Sequence, residues 1–119
     1  MKAHEELVTA LVKPGDEISG NMDYRSAHII HMCLGLAGEV GELIDAIKKA
    51  TIYGKPMDRE NVIEELGDIE FYLEGLRQGL FISREVTMLK NIEKLTRRYP
   101  QGRYTDADAK ARADKVEGE

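Results

Sequence analysis

Four carboxylates in two pairs are the residues of this chain best suited to chemistry: Glu39 with Glu42, and Glu65 with Asp68. Each pair is spaced three apart, so on a helix both side chains reach the same side. If the two pairs converge, each like pair at about 5 Å repels by roughly 3 kcal/mol at an effective dielectric of 20. Cations must then compensate, and hard oxygen donors select Mg²⁺ or Mn²⁺ over zinc. A di-iron bundle would want Glu-x-x-His pairs, and no histidine stands at those offsets.

Glu-x-x-Glu and Glu-x-x-Asp are common on solvated helix faces, so spacing alone decides nothing. Two features tell against a merely solvated face. Gly35, Gly38 and Gly41 accompany the first pair, and Gly67 separates Glu65 from Asp68. Each interior glycine costs a helix about 1 kcal/mol relative to alanine. Bare backbone beside carboxylates makes sense where another helix or a bulky anion comes close. In addition, no lysine lies within a turn of Glu39 and Glu42; Lys48 and Lys49 arrive only later.

Apolar periodicity supplies the elements that must carry these residues. Leu7, Val8, Leu11 and Val12 give a short first helix that stops at Lys13-Pro14-Gly15. Residues 14–23 read as a loop. A long second helix runs from about Tyr24 to Ala50, with Leu36, Val40, Leu43, Ile44 and Ile47 on one side. Its other side holds His31, Gly35, Gly38, Glu39, Glu42 and Asp45. Asp58 caps a third helix that reaches about Gln78, with Gly79 as its stop. Val62, Leu66, Ile69, Leu73 and Leu76 form its apolar stripe, and Asn61, Glu65, Asp68 and Tyr72 its polar one. Ser83 caps a fourth, to about Tyr99 before Pro100; it is expected to bury Met88, Ile92, Leu95 and Tyr99 and to turn Asn91, Lys94 and Arg98 elsewhere. Strand alternation is nearly absent. The expected fold is all-α: a short first helix, three main helices, and a C-terminal helical arm. That arm lacks an apolar face and is expected to dock loosely or to bind a partner, with Asp106–Lys110 and Asp108–Arg112 as i,i+4 pairs.

The 119 residues suit one domain, 1–119, of a soluble globular class. A net charge of -5 and scarce aromatic platforms argue against nucleic-acid binding. Cys33 stands alone, which excludes an intramolecular disulfide and suits a reducing cytosol. The acidic start is unlike a signal peptide, and no apolar run approaches the roughly 20 residues of a membrane span. A cytoplasmic protein without a membrane partner is expected.

Gly38-Glu39-Val40-Gly41-Glu42-Leu43, followed by Glu64-Glu65-Leu66-Gly67-Asp68-Ile69, resembles the paired motif of the MazG-like all-α nucleoside triphosphate pyrophosphohydrolases. Their pattern is Glu-x-x-Glu, a spacer of moderate length, then Glu-x-x-Asp. His31 to Leu36 upstream adds to the likeness, as do Asn91 to Leu95 and Arg98-Tyr99-Pro100 downstream. The stretch from His31 to Pro100 looks like the short, stand-alone, often phage-encoded members.

The resemblance implies Mg²⁺-dependent hydrolysis of a (deoxy)nucleoside triphosphate to the monophosphate and pyrophosphate, a metal-activated water attacking the α-phosphorus. It implies that Glu39, Glu42, Glu65 and Asp68 hold two or three Mg²⁺ ions (Mn²⁺ in their place), and that Glu39 or Glu42 accepts the water's proton. Lys55, Lys94 and Arg98 are the candidates for gripping phosphates. Tyr72 and Asn91 are placed near the sugar or base, with His31 and Tyr99 as further candidates; a hydrogen-bonded packing role is the alternative for His31. Family pattern also implies a homo-oligomer, dimer or tetramer. The rival readings are a phosphoribosyl-ATP pyrophosphohydrolase and a non-catalytic helical interaction module.

Overall fold

Side-chain caps set the starts of the main helices. In a computed structural model, which describes residues 1 and 3–115, the Asp23 carboxylate accepts from the Ser26 amide at 2.8 Å and opens a long helix, Tyr24–Thr51. Asp58 accepts from the Asn61 amide at 3.1 Å and opens Arg59–Leu80. The Ser83 hydroxyl accepts from Val86 at 3.1 Å and opens Arg84–Arg98. In chain order the elements are α1 (His4–Leu11), α2 (Gly15–Gly20), α3 (Tyr24–Thr51), α4 (Arg59–Leu80), α5 (Arg84–Arg98), α6 (Asp106–Ala111) and a 3₁₀ turn, Ala113–Lys115. No strand occurs among the described residues. The architecture is all-helical, as the sequence predicts.

Two boundaries differ from expectation. Residues 14–23 are not all loop: Pro14 caps α2, with Asp16 and Glu17 in its first turn, where carboxylates suit the helix dipole. Reading Pro14-Gly15 as a breaker hid a start signal. Gly79 does not end α4. The helix runs through it, and the reversal falls on Phe81, at φ 56°. Gly79 is there for clearance, since a Cβ would stand 2.6 Å from the His28 ring.

The chain divides into two compact units, Met1–Gly79 and Leu80–Glu119. In the first, α3 and α4 run antiparallel along a seam read from successive contacts. His28 meets Gly79 and Gly75, Met32 meets Gly75, Gly35 meets Tyr72, and Glu39 meets Asp68 and Glu65. The steps along α3 are four, three and four residues, which is the spacing of a helical hairpin that interlocks along one side. Close approach is possible because the seam uses glycine: a side chain at Gly35 would overlap the Tyr72 ring, and one at Gly75 would run into the Met32 sulfur. The carboxylates occupy the next rungs of that ladder.

The seam therefore runs along the polar, small-residue side of α3, not along its apolar stripe. Among the described residues only Met32 and Ala46 are buried hydrophobics. Val40, Ile44 and Leu66 are exposed, while Leu36, Leu43, Ile47, Val62, Ile69, Leu73 and Leu76 are half-buried. The burial expected on α5 is absent from the single chain: Met88, Leu95 and Ile92 are all exposed, Ile92 at 58%, and only Tyr99 is half-buried. Buried Arg77 is satisfied along its own helix by Glu74 at 3.3 Å and Glu70 at 3.9 Å. By length and composition α3 reaches the minimum for a membrane-crossing helix, which a search for unbroken apolar runs missed.

In the second unit, the C-terminal arm is not loosely docked. The Thr105 hydroxyl accepts from the Asp108 amide and caps α6. Arg112 ends it in the left-handed region, at φ 48°, and the 3₁₀ turn follows. Arg98 of α5 then donates to Asp114 through Nε at 2.9 Å and Nη2 at 3.3 Å. The expected Asp106–Lys110 and Asp108–Arg112 pairs do not hold the arm; Asp106 instead accepts from the Tyr104 hydroxyl at 2.7 Å.

Candidate metal centre

Glu39 comes from α3, and Glu65 and Asp68 come from α4, at the point where the small-residue seam gives way to carboxylates. One oxygen of each lies within 4.8 Å of the others. This is the spacing at which like charges must be neutralised. Glu65 is half-buried, and its Oε2 is shielded from solvent with no hydrogen-bond partner. Three converging carboxylates, one of them with an unpartnered oxygen, are the donor set of a hard divalent cation, so the residues present fit such an ion.

The electrostatics agree. The Glu65 carboxyl is pushed up to about 7, first by a hydrogen bond shared with Glu39, then by desolvation and by the charges of Glu39, Asp68 and Glu42. Two ionised carboxylates cannot share a hydrogen bond, so in the absence of a cation a proton takes its place between Glu39 and Glu65. Glu42 stands apart from the tight trio. It is exposed and follows Glu39 by three residues, near enough for its charge to act on Glu65. Of the four carboxylates singled out by spacing, three converge closely and the fourth borders them.

The surroundings sort the other candidates. Tyr72 is half-buried beside Gly35, and its ring meets His31 edge-on at 6.5 Å and Phe71 at 5.1 Å. His31 is exposed, about two turns of α3 before Glu39. The packing histidine of this helix is instead His28, whose Nε2 lies 2.8 Å from the Gly75 carbonyl oxygen. Asp45 leaves the acidic stripe, being paired with Lys49 at 3.6 Å and Lys48 at 3.8 Å. Lys55 lies exposed in the α3–α4 connection, just after Gly54 at φ 67°. Gly35 is explained by Tyr72, whereas Gly38, Gly41 and Gly67 meet nothing within 4 Å. Their bare backbone lines open space next to the carboxylates.

Asn91, Lys94, Arg98 and Tyr99 belong to the second unit. Asn91 and Lys94 are exposed; Tyr99 is half-buried against Tyr104, ring centroids 5.6 Å apart. Arg98 is taken up by Asp114, which also feels the charge of Lys94. Sequence reasoning missed Asp114. Its partner Arg98 lies 16 residues back, beyond the reach of any local spacing rule.

No curated protein and no solved structure matches the chain. The model of one family does match, the MazG nucleotide pyrophosphohydrolase domain, over residues 28–103. That span takes in more than half the chain, both carboxylate pairs, the seam that brings them together, and the Lys94 and Arg98 cations. With sequence pattern, helical architecture and acidic centre in agreement, the chain belongs to the family of MazG nucleotide pyrophosphohydrolase domains.

Proposed function

We propose that the chain hydrolyses (deoxy)nucleoside triphosphates to the nucleoside monophosphate and pyrophosphate, water attacking the α-phosphorus in line. The observation that carries this reading is the convergence of Glu39, Glu65 and Asp68, with Glu65 keeping a shielded, unpartnered oxygen, inside the family-matched segment. These three, with Glu42 beside them, would hold Mg²⁺ or Mn²⁺, two or three ions by family pattern. When bound, the metal offsets the carboxylates' repulsion of the phosphate chain and acidifies a ligated water.

The chain's own residues do the rest. Glu42, exposed and outside the tight trio, accepts the proton of the attacking water; Glu39 is the alternative acceptor. Lys94 and Arg98, with Lys55 as a further candidate, bind the phosphates and stabilise the departing pyrophosphate. Tyr72 and Asn91 contact the sugar or base, with His31 and Tyr99 as secondary candidates. We take residues 1–119 as one catalytic domain.

A second copy of the chain is part of this reading. The two buried hydrophobics among the described residues are too few to hold a helical protein, and the exposed Leu34, Ile44, Ile63 and Phe71 supply apolar area for an interface. We infer a homodimer or homotetramer. The same association accounts for the apolar character of α3 as packing between helices, so no membrane is involved. Carboxylates midway along that helix would be costly in a bilayer. An acidic site likewise leaves nucleic acid outside the set of partners, and a cytoplasmic location suits the lone exposed Cys33.

The decisive experiment is a panel of ribo- and deoxynucleoside triphosphates with Mg²⁺, with pyrophosphate and orthophosphate measured separately. Pyrophosphate as the first product supports the reading. Orthophosphate would place the attack at the wrong phosphorus.

A further inference from the structure

The Arg98–Asp114 pair is built more deliberately than a tail tether needs. Asp114 is 6% exposed and Arg98 18%, so this is not a solvated surface pair of the kind that contributes little. Arg112 must adopt the left-handed region, at φ 48°, for the 3₁₀ turn to bring Asp114 onto α5. Non-glycine residues hold such a conformation where the surroundings demand it.

The contact is also asymmetric. A guanidinium has five N–H donors. Asp114 takes one from Nε and one from Nη2, along the side edge of the group. Asp114 does not take the donors on Nη1 or the second on Nη2, and the Tyr99 side chain also hydrogen-bonds the guanidinium. Lys94, one helical turn earlier, acts on the same carboxylate. Asp114 and Lys94, though not Arg98, line a recess of about 200 Å³ together with Lys90, Glu93, Arg97 and Lys115. An edge-on carboxylate fixes the guanidinium plane while its outer fork keeps the geometry that suits two phosphate oxygens.

We propose that Asp114 is a positioning residue for phosphate binding: it clamps Arg98 by its edge so that the outer N–H donors, next to Lys94, are presented to the phosphate chain. This rests on the reading of Lys94 and Arg98 as phosphate-gripping cations. The 3₁₀ turn Ala113–Lys115 thereby becomes part of substrate recognition without touching substrate.

The test uses the full-length protein and variants Asp114→Asn, Arg98→Lys, Arg98→Ala and Thr105→Ala. Calorimetry with inorganic pyrophosphate and Mg²⁺ gives affinity without turnover; KM, kcat and Tm are measured alongside. Asp114→Asn and Arg98→Lys should each weaken pyrophosphate binding and raise KM by about tenfold, leaving kcat within about twofold. Combining them should be no worse than either alone, because each removes the same fork. Thr105→Ala loosens the cap of α6, so it should lower Tm without changing KM. Should Asp114→Asn behave like Thr105→Ala, losing stability but keeping pyrophosphate affinity, Asp114 is only a tether and the proposal fails. Unchanged affinity in Arg98→Ala is a different failure: it removes Arg98 from phosphate binding and takes the Asp114 role with it.

Discussion

Glu39 and Glu65 face one another across the α3–α4 seam, and the Glu65 carboxyl keeps an oxygen that no hydrogen bond satisfies. The folded form therefore holds a proton on Glu65 up to about pH 7, against 4.5 for an ordinary glutamate. A group whose folded pKa is raised stabilises fully below its unfolded value, and that stability is lost as pH rises through the folded value. The Tm of the metal-free protein should thus fall as pH is raised from about 4.5 to about 7. With saturating Mg²⁺ or Mn²⁺ the fall should vanish, because the cation keeps the carboxylates ionised. Thermal unfolding across that window, with and without metal, checks both halves.

The same pair predicts opposite effects of one substitution on stability and on metal binding. Glu65→Gln removes a buried like charge, so the metal-free variant should melt higher than the parent at pH 8. It should also lose most of its Mg²⁺ affinity, as should Asp68→Asn. Calorimetric Mn²⁺ titrations alongside melting curves read the two effects independently. A Glu65→Gln protein that binds Mn²⁺ as the parent does would remove the trio as the metal centre.

Glu42→Gln addresses proton transfer. Loss of a general base should lower kcat by about 10²–10⁴-fold. Metal affinity should change far less than in Glu65→Gln, because Glu42 lies outside the tight trio. A normal triphosphatase rate in Glu42→Gln would return the role to Glu39.

Gly35→Ala tests the seam itself. The added methyl would collide with the Tyr72 ring, and overpacking of this kind typically costs about 1–3 kcal/mol. Helix propensity alone would predict a gain of about 1 kcal/mol, so the sign of the Tm change separates the two influences. A fall in Tm, together with weaker metal binding from parted helices, is the expected result.

Association is tested by placing charge on the exposed apolar surface. Phe71→Glu and Leu34→Glu, at positions 66% exposed in the single chain, should shift the protein toward smaller species in light scattering after gel filtration. Helicity should drop with the loss of the partner, since a single copy buries so little. Unchanged mass in both variants would move the interface elsewhere.

The helices and their caps were legible because the signals are local. Asp58 and Ser83 announce α4 and α5 by residue type and position, and both caps are observed. The convergence of Glu39, Glu65 and Asp68 was legible because three- and four-residue spacing fixes a helix face before any neighbour is known. What the helices face was not legible. Apolar stripes containing Val40, Ile44 and Leu66 suggested a core within the chain. The chain instead closes α3 on α4 through glycine and polar residues and leaves much apolar surface outward. Periodicity identifies a side to be covered but not whether the cover comes from the same chain. Gly79 was misread for a related reason: a glycine that makes room for the His28 ring looks in sequence like one that ends a helix. Asp114 was invisible because its partner lies 16 residues back and a turn through Arg112 is needed to reach it.

The Met32 sulfur rests against the bare backbone of Gly75, and Glu39 and Asp68 lie farther along the same seam. A sulfoxide at Met32 would add an oxygen where no space exists and a dipole where no donor waits. The helices would have to part, and the carboxylates would part with them. Oxidative damage to this one thioether would therefore register as a loss of divalent-ion affinity before it registered as unfolding, and methionine sulfoxide reductase treatment should restore it.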